Sequence, residues 1–442
     1  MRNWMPILAN ILICIFAVIM STIVDLAVLI KVQVILNIIF LIRKSGKYVS
    51  AGLVFFILIC LFHYGRLIVS TPDSFESISD DLLCQSIKFA IISISAISLG
   101  YFLSVKGRMA EMTNMNVELS SVDLNKLRKI SAWIITLTII PLVYIDFIKI
   151  QYTLVNGYVG INTLGEQNMF VKYMSSFTTL TRPAVLLLML SYYHQPRKAR
   201  LVLITFCAYS LITMFSGSRA TPMIYIVSIV VLYVKLYVKR FNLYSLIFLT
   251  TIIVLVFYIL PVITVLRQGA FDIGDVVATP SEIENDGGRM TAVASEFGGT
   301  LVSLIYAIQF TYSYNYGLTY LLGFITISPK IPQSLLPLMS TQLTFTNSFP
   351  VNFQYTLGGS CLGEAYFNFG WFAPVFCVFI GFLVAKLDKD LVVIKKENLI
   401  RSIILITAMP YIFLWVRGFF CTMIFAVFWV SIIYRYFIKK VA

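Results

Sequence analysis

The chain has 442 residues, of which 59% are hydrophobic and only 12% charged, a balance that a water-soluble globular fold of this length does not reach. Its formal net charge is +14, but Lys and Arg fall in short clusters between apolar runs and not along one basic face, which argues for membrane topology and against nucleic acid as a partner. Apolar runs able to cross ~30 Å of hydrocarbon as helices recur from the first residues to the last, so the expected fold class is an all-α polytopic membrane protein and not a barrel. The first run is too long, and too closely followed by a second, to be a cleaved signal peptide.

In chain order the pattern predicts spans at about 5–24, 26–42, 50–70, 86–105, 130–150, 174–193, 201–216, 221–238, 243–263, 371–386, 402–417 and 418–438. That is about twelve helices in a single integral membrane domain covering 1–442. With the N-terminus inside, the inner segments carry the basic clusters: Arg43, Lys44 and Lys47; Lys106 to Lys129; Arg197, Lys198 and Arg200; Lys235, Lys239 and Arg240; Lys386 to Arg401; Arg435, Lys439 and Lys440. The positive-inside rule then places both termini in the cytoplasm. The segment from Thr71 to Gln85 has Asp73, Glu76, Asp80 and Asp81 but no Lys or Arg, which suits an external loop. A second expected external loop, Gln151 to Tyr173, contains glycine and asparagine and can lie along the interface as a short amphipathic helix.

One stretch, Thr264 to Gly370, is too long for a simple connector and is expected as a large external loop between the ninth and tenth spans. Within it, Thr291 to Asn315 and Gly317 to Ile327 are too apolar for open solvent, and the second is too short to span. Both are expected to fold back on the membrane and roof a cavity, the setting in which irregular backbone is tolerated at that depth.

Candidate chemistry gathers at the outer face. Arg219 sits in Phe215-Ser-Gly-Ser-Arg219-Ala-Thr-Pro222, a tight turn before a helix, where a planar guanidinium and orphan amides can trap a phosphate. The same arginine can instead snorkel to lipid headgroups. Arg267 after Pro261, Arg417 near an outer helix end, Arg182 inside a span near Thr178, Thr179 and Thr181, and loop-borne Arg289 complete the candidate phosphate ligands; charge within the membrane is expensive and by default functional. Glu364, flanked by glycines at the end of the long loop, is the first candidate for a catalytic carboxylate, though it can also serve as a helix cap; Glu296 is the second. Tyr366, Asn368, His63 and Arg66 are candidates for substrate binding. Asp388-Lys-Asp390 resembles a metal-binding aspartate pair but reads as a solvated charge run. No HExxH, GxSxG or P-loop occurs, and no CxxC pair; neither a metal nor another cofactor is expected, and Cys84 and Cys361 are the two cysteines that can lie outside the bilayer.

The span pattern, the loop between the ninth and tenth spans, the Gly-Ser-Arg turn at 217–219 and Gly363-Glu364-Ala-Tyr-Phe-Asn368-Phe-Gly370 together resemble the Wzy-type oligosaccharide repeat-unit polymerases, the O-antigen polymerases. The related O-antigen ligases share the plan but use a loop histidine, and no histidine lies between Thr264 and Gly370. The resemblance implies a GT-C-like membrane glycosyltransferase of the bacterial inner membrane, acting with inversion at the periplasmic face. It also implies an undecaprenyl-diphosphate-linked oligosaccharide as substrate and a chain-length regulator protein as partner. Alternative readings are a flippase for the same lipid-linked oligosaccharide, an O-antigen ligase and, third, a lipid-modifying acyltransferase. A flippase is commonly built from two repeated halves, and no internal repeat is apparent.

Overall fold

The computed structural model describes residues 4–45, 50–69, 78–105, 115–157, 174, 177–238, 298–327 and 358–440. In chain order the described helices are α1 (Met5–Ile19), α2 (Ile23–Ser45), α3 (Ala51–Val69), α4 (Asp80–Ser104), α5 (Ser121–Asn156), α6 (Thr181–Ser191), α7 (Pro196–Thr213), α8 (Ala220–Tyr237), α9 (Gly299–Phe310), α10 (Leu318–Gly323), α11 (Cys361–Phe369), α12 (Ala373–Lys389), α13 (Leu399–Trp415) and α14 (Cys421–Lys440). The only strands among the described residues, β1 (Asn116–Glu118) and β2 (Val393–Lys395), form a parallel pair with Val117 opposite Ile394. Lys395 Nζ lies 3.3 Å from Glu118 Oε2 across it. The molecule is an all-α polytopic membrane protein.

Among the described residues, nine helical segments are long and apolar enough to cross a membrane. They fall on nine of the expected spans, with shifted ends. The expected spans at 5–24 and 174–193 emerge as the shorter helices Met5–Ile19 and Thr181–Ser191, and 243–263 lies outside the described residues. The segment expected to begin at 371 is helical from Cys361, with a break where Gly370 takes φ +56. Of the stretches expected to fold back on the membrane, the described parts form the twelve-residue α9 and the six-residue α10. The described part of Gln151 to Tyr173 continues α5 to Asn156.

The described chain divides into two compact units. The first contains α1–α4, α9–α12 and the turn Trp415–Phe425. Its centre is the crossing of α4 and α12, where a Cβ on Gly381 would meet Ile97 O at 2.1 Å and one on Gly100 would meet Val378 O at 2.0 Å. With backbones that close only glycine fits, the small-residue packing by which membrane helices associate where no hydrophobic effect separates them from lipid. Buried polar side chains join the other helices of this unit. Asn10 of α1 and Asn37 of α2 exchange amide hydrogen bonds of 3.0 and 3.1 Å. Gln33 donates to Ile91 O and Ser95 Oγ and accepts from Tyr64 Oη at 2.7 Å.

Asp388 is not part of a solvated charge run. It is buried, and its carboxylate accepts from Ala51 N and Gly52 N, both at 2.8 Å, and from Tyr101 Oη at 2.9 Å. It thereby caps α3, pairing two orphan amides with a charge favoured at a helix N-terminus. Asp388→Ala is expected to cost about 1–3 kcal/mol for each buried donor left unpaired, read as a lowered thermal-unfolding midpoint in detergent. An unchanged midpoint would mean that water replaces the carboxylate without loss.

The second unit contains α5–α8, β1, β2 and most of α13 and α14. Ser120 caps α5 by accepting from Asp123 N at 3.1 Å, and the helix then runs for 36 residues with Pro141 inside it. At its polar end Arg128 donates to Ser191 O and sits 4.7 Å over the Tyr192 ring.

Candidate active site

In the first unit the carboxylate site is built from the start of α11. Gly358-Gly359 leads into Ser360, whose Oγ accepts from Gly363 N at 3.0 Å, the standard N-cap arrangement. Ser360 is itself held from α3. His63 Nδ1 lies 3.0 Å from Ile59 O, and because a carbonyl only accepts, this nitrogen carries a proton. His63 Nε2 is 2.9 Å from Ser360 Oγ, and in the neutral ring it accepts the serine hydroxyl. The chain Ile59–His63–Ser360–Gly363 therefore fixes where α11 begins relative to α3. His63 is completely buried with both nitrogens engaged by protein.

One residue beyond Gly363 is Glu364, only 1% exposed. Its Oε2 accepts from Trp415 Nε1 at 2.7 Å and from Phe420 N at 3.0 Å, and its Oε1 lies 3.4 Å from Phe420 N. Both donors come from the turn that links α13 to α14, closed by Gly418 N donating to Trp415 O at 3.1 Å. Arg417 rides on the same turn, its guanidinium carbon 5.8 Å from the Phe62 ring centroid, within cation–π range. A buried carboxylate without such donors would be costly, so the turn and Glu364 stabilise one another.

The turn and the entry to α11 lie in backbone contact. A Cβ on Gly359 would meet Gly418 O at 2.6 Å, and one on Gly358 would meet Arg417 Nε at 3.4 Å. Gly359→Ala is expected to push the turn away at a cost of about 1–3 kcal/mol. The measurable outcome is a lower unfolding midpoint together with a shifted fluorescence maximum for Trp415. An unperturbed midpoint and spectrum would show that the backbones are not in contact.

Asn368, also fully buried, lies a further turn along α11 and donates to Thr319 Oγ1 and to Glu364 O, both at 2.7 Å. The end of α11 is capped from the same segment, Asn315 N donating to Phe367 O at 3.2 Å and Tyr316 N to Asn368 O at 2.8 Å. Tyr366 is enclosed by rings, with centroids 5.1 Å from Phe89, 6.1 Å from Tyr314 and 6.4 Å from Trp371. Open aromatic faces are instead offered by Tyr312 and Tyr316, 91% and 82% exposed, on the segment packed against α11. The backbone at Arg66 of α3 abuts Gly298, where a Cβ would stand 2.2 Å from Arg66 N.

The second unit holds the other described arginines. Arg219 is 6% exposed and immediately precedes α8, after a 3-10 turn at Met214–Ser216 and Gly217 at φ +81. Thr153 Oγ1 donates to Ser216 O at 3.0 Å, so α5 braces this turn. Arg182, at the start of α6, lies 4.4 Å over the Tyr225 ring, and Tyr225 meets Tyr411 edge-to-face at 6.1 Å. Tyr209 Oη donates to Asp146, which neighbours both Lys149 and Arg182 electrostatically. The structure thus gathers Glu364, Arg417, Asn368, Tyr366, His63 and Arg66 in one unit and Arg182 and Arg219 in the other. Arg267, Arg289 and Glu296 lie outside the described residues.

Trp415, the Phe420 amide, Ser360, Thr319 and Asp146 escaped the sequence reading. Only Asp146, an acid within an apolar run, carried a local signal; Ser360 is an ordinary helix cap, and Trp415, Phe420 and Thr319 are brought to α11 by distant chain segments. Cys361 is buried as the first residue of α11, and all seven cysteines are free thiols.

A family model described as O-antigen polysaccharide polymerase Wzy matches residues 4–440. No curated protein and no solved structure gives a significant match to the chain. The family match runs across both units and every described helix, taking in the Glu364 cradle and the Arg219 turn alike. The chain therefore belongs to the O-antigen polysaccharide polymerase Wzy family.

Proposed function

We propose that the protein polymerises undecaprenyl-diphosphate-linked oligosaccharide repeat units at the periplasmic face of the bacterial inner membrane by inverting glycosyl transfer. In this reading the fold is GT-C-like with about twelve spans, both termini are cytoplasmic, and 264–370 forms the periplasmic loop. The growing chain on its lipid diphosphate is the donor. A hydroxyl of the incoming unit attacks the reducing-end sugar carbon, the carbon–oxygen bond to diphosphate breaks, and the diphosphate leaves on its lipid with both electrons of that bond. A chain-length regulator protein is the further partner.

The observation that carries the reading is Glu364: a buried carboxylate gripped by two fixed donors on a turn that also bears an arginine. Oε2 takes both short bonds, the Thr319 hydroxyl is a further hydrogen-bond partner, and the carboxylate is assigned to receive the acceptor proton. Positioned proton transfer of this kind is worth ~10²–10⁴-fold in rate. The diphosphate needs no general acid, so one carboxylate suffices where a glycosidase uses two. Arg219, Arg182, Arg417, Arg267 and Arg289 are assigned to the charge that grows on the diphosphate. Tyr312 and Tyr316 supply open faces for sugar stacking, alongside His63, Arg66, Tyr366 and Asn368 as determinants of the acceptor site.

The burial of Glu364 at 1% favours a second reading, in which the carboxylate positions the 415–420 turn and so Arg417 without touching substrate. For the polymerase reading itself the test is complementation. Expression in a cell that makes the lipid-linked unit but lacks its polymerase is expected to restore long surface polysaccharide; a surface that carries only single repeat units would overturn the reading.

A further inference from the structure

The second unit also contains a groove of about 470 Å³ that the polymerase chemistry does not use. This lies within the ~300–1,000 Å³ of small-molecule sites. One wall is a single face of α5, on which Lys126, Lys129, Trp133 and Leu137 follow one another at helical spacing, and the other includes Ile433 and Phe437 of α14. Hydrogen bonds hold α5 against its neighbours here: Ser131 Oγ lies 2.7 Å from Tyr434 Oη of α14, and Thr181 Oγ1 of α6 donates to Thr138 Oγ1 at 2.7 Å. The trough is therefore built into the helix packing.

Its charge is confined to one end. At 36 residues α5 is ~54 Å long, well beyond the ~30 Å hydrocarbon layer, so its first turns reach the headgroup region. Lys126 and Lys129 stand there, one turn apart at the mouth, while Arg128 between them turns away to Ser191 and Tyr192. From the lysines to Thr138 the groove runs ~18 Å along α5, the depth of about one leaflet. Two ammonium groups over an apolar trough of that depth complement a phosphate carrying an acyl chain, as basic pockets between membrane helices do. A polyprenyl chain is far longer than the trough.

We propose that this groove is a site for an anionic glycerophospholipid, with its phosphate between Lys126 and Lys129 and one acyl chain along α5. The lipid comes from the leaflet level with the lysines. The site is independent of the catalytic assignment.

The test uses the full-length protein in nanodiscs of phosphatidylcholine, with rising fractions of brominated phosphatidylglycerol or brominated phosphatidylcholine as quenchers. The signal is the quenching lost on Trp133→Phe, which isolates the groove tryptophan. Phosphatidylglycerol is expected to half-saturate at a mole fraction about fivefold lower than phosphatidylcholine for each lysine engaged. That preference should disappear in Lys126→Ala/Lys129→Ala, persist in Lys389→Ala, and fall with added salt in the wild-type protein, an arm that requires no variant to fold. Equal half-saturation for the two lipids, a preference retained in the double variant, or stronger displacement by undecaprenyl phosphate than by phosphatidylglycerol would each overturn the proposal.

Discussion

Glu364→Gln is expected to yield protein that folds and binds the lipid-linked donor yet elongates it at least ~10²-fold more slowly, the loss that follows removal of a positioned base. The variant is informative because of the cradle. A glutamine carbonyl oxygen can still accept from Trp415 Nε1 and Phe420 N, the two short bonds that hold the turn, so the geometry survives while basicity is lost. If Glu364 only positions the turn, Glu364→Gln should polymerise at close to the wild-type rate while Glu364→Ala fails and lowers the unfolding midpoint. Initial rates and midpoints on the three proteins separate the two roles, and near-normal elongation by the glutamine variant would remove the base assignment.

The second large effect is expected at Arg219. Loss of a fixed cation facing the charge that develops on a leaving diphosphate costs ~10²–10³-fold by analogy with the removal of an oxyanion donor. Arg219→Ala should therefore give short or no polymer at normal expression, and Arg219→Lys should recover only part of it, because lysine keeps the charge but not the bidentate fork. The turn itself should persist in both variants, since Gly217 and the Thr153–Ser216 bond shape it. Wild-type polymer length in Arg219→Ala would show that this arginine merely anchors the helix end to headgroups.

The membrane class and most spans were legible because the bilayer sets one length and forbids unpaired backbone, so composition alone marks where helices run. Ends were harder. The span expected at 5–24 stops at Ile19 because Met20 turns to extended backbone, and Thr22 then caps the next helix by accepting from Asp25 N at 3.1 Å. The Thr22 hydroxyl in turn donates to the Asp25 carboxylate at 2.6 Å. The segment at 371–386 begins ten residues early because Glu364 and Asn368 lower the local hydropathy of what is a well-capped helix, α11.

Glu364 itself could be singled out from its glycines and its place in the chain, but not its partners. Trp415 and Phe420 lie more than fifty positions away, and nothing local marks an indole N–H or a backbone amide as a ligand for a carboxylate. Asp388 shows the same limit from the other side: its sequence neighbours are charged, so it reads as solvated, while the groups that bury it come from α3 and α4. Long-range contacts decide such polar residues, and one sequence without its fold does not contain them.

The central claim, that this chain itself lengthens a lipid-linked saccharide, is tested most directly by purified wild-type protein in liposomes supplied with a defined undecaprenyl-diphosphate-linked repeat unit. The predicted result is a ladder of products spaced by one repeat unit, growing with time and abolished by Glu364→Gln. Transfer of the unit across the bilayer without any lengthening would contradict the account and identify a flippase instead.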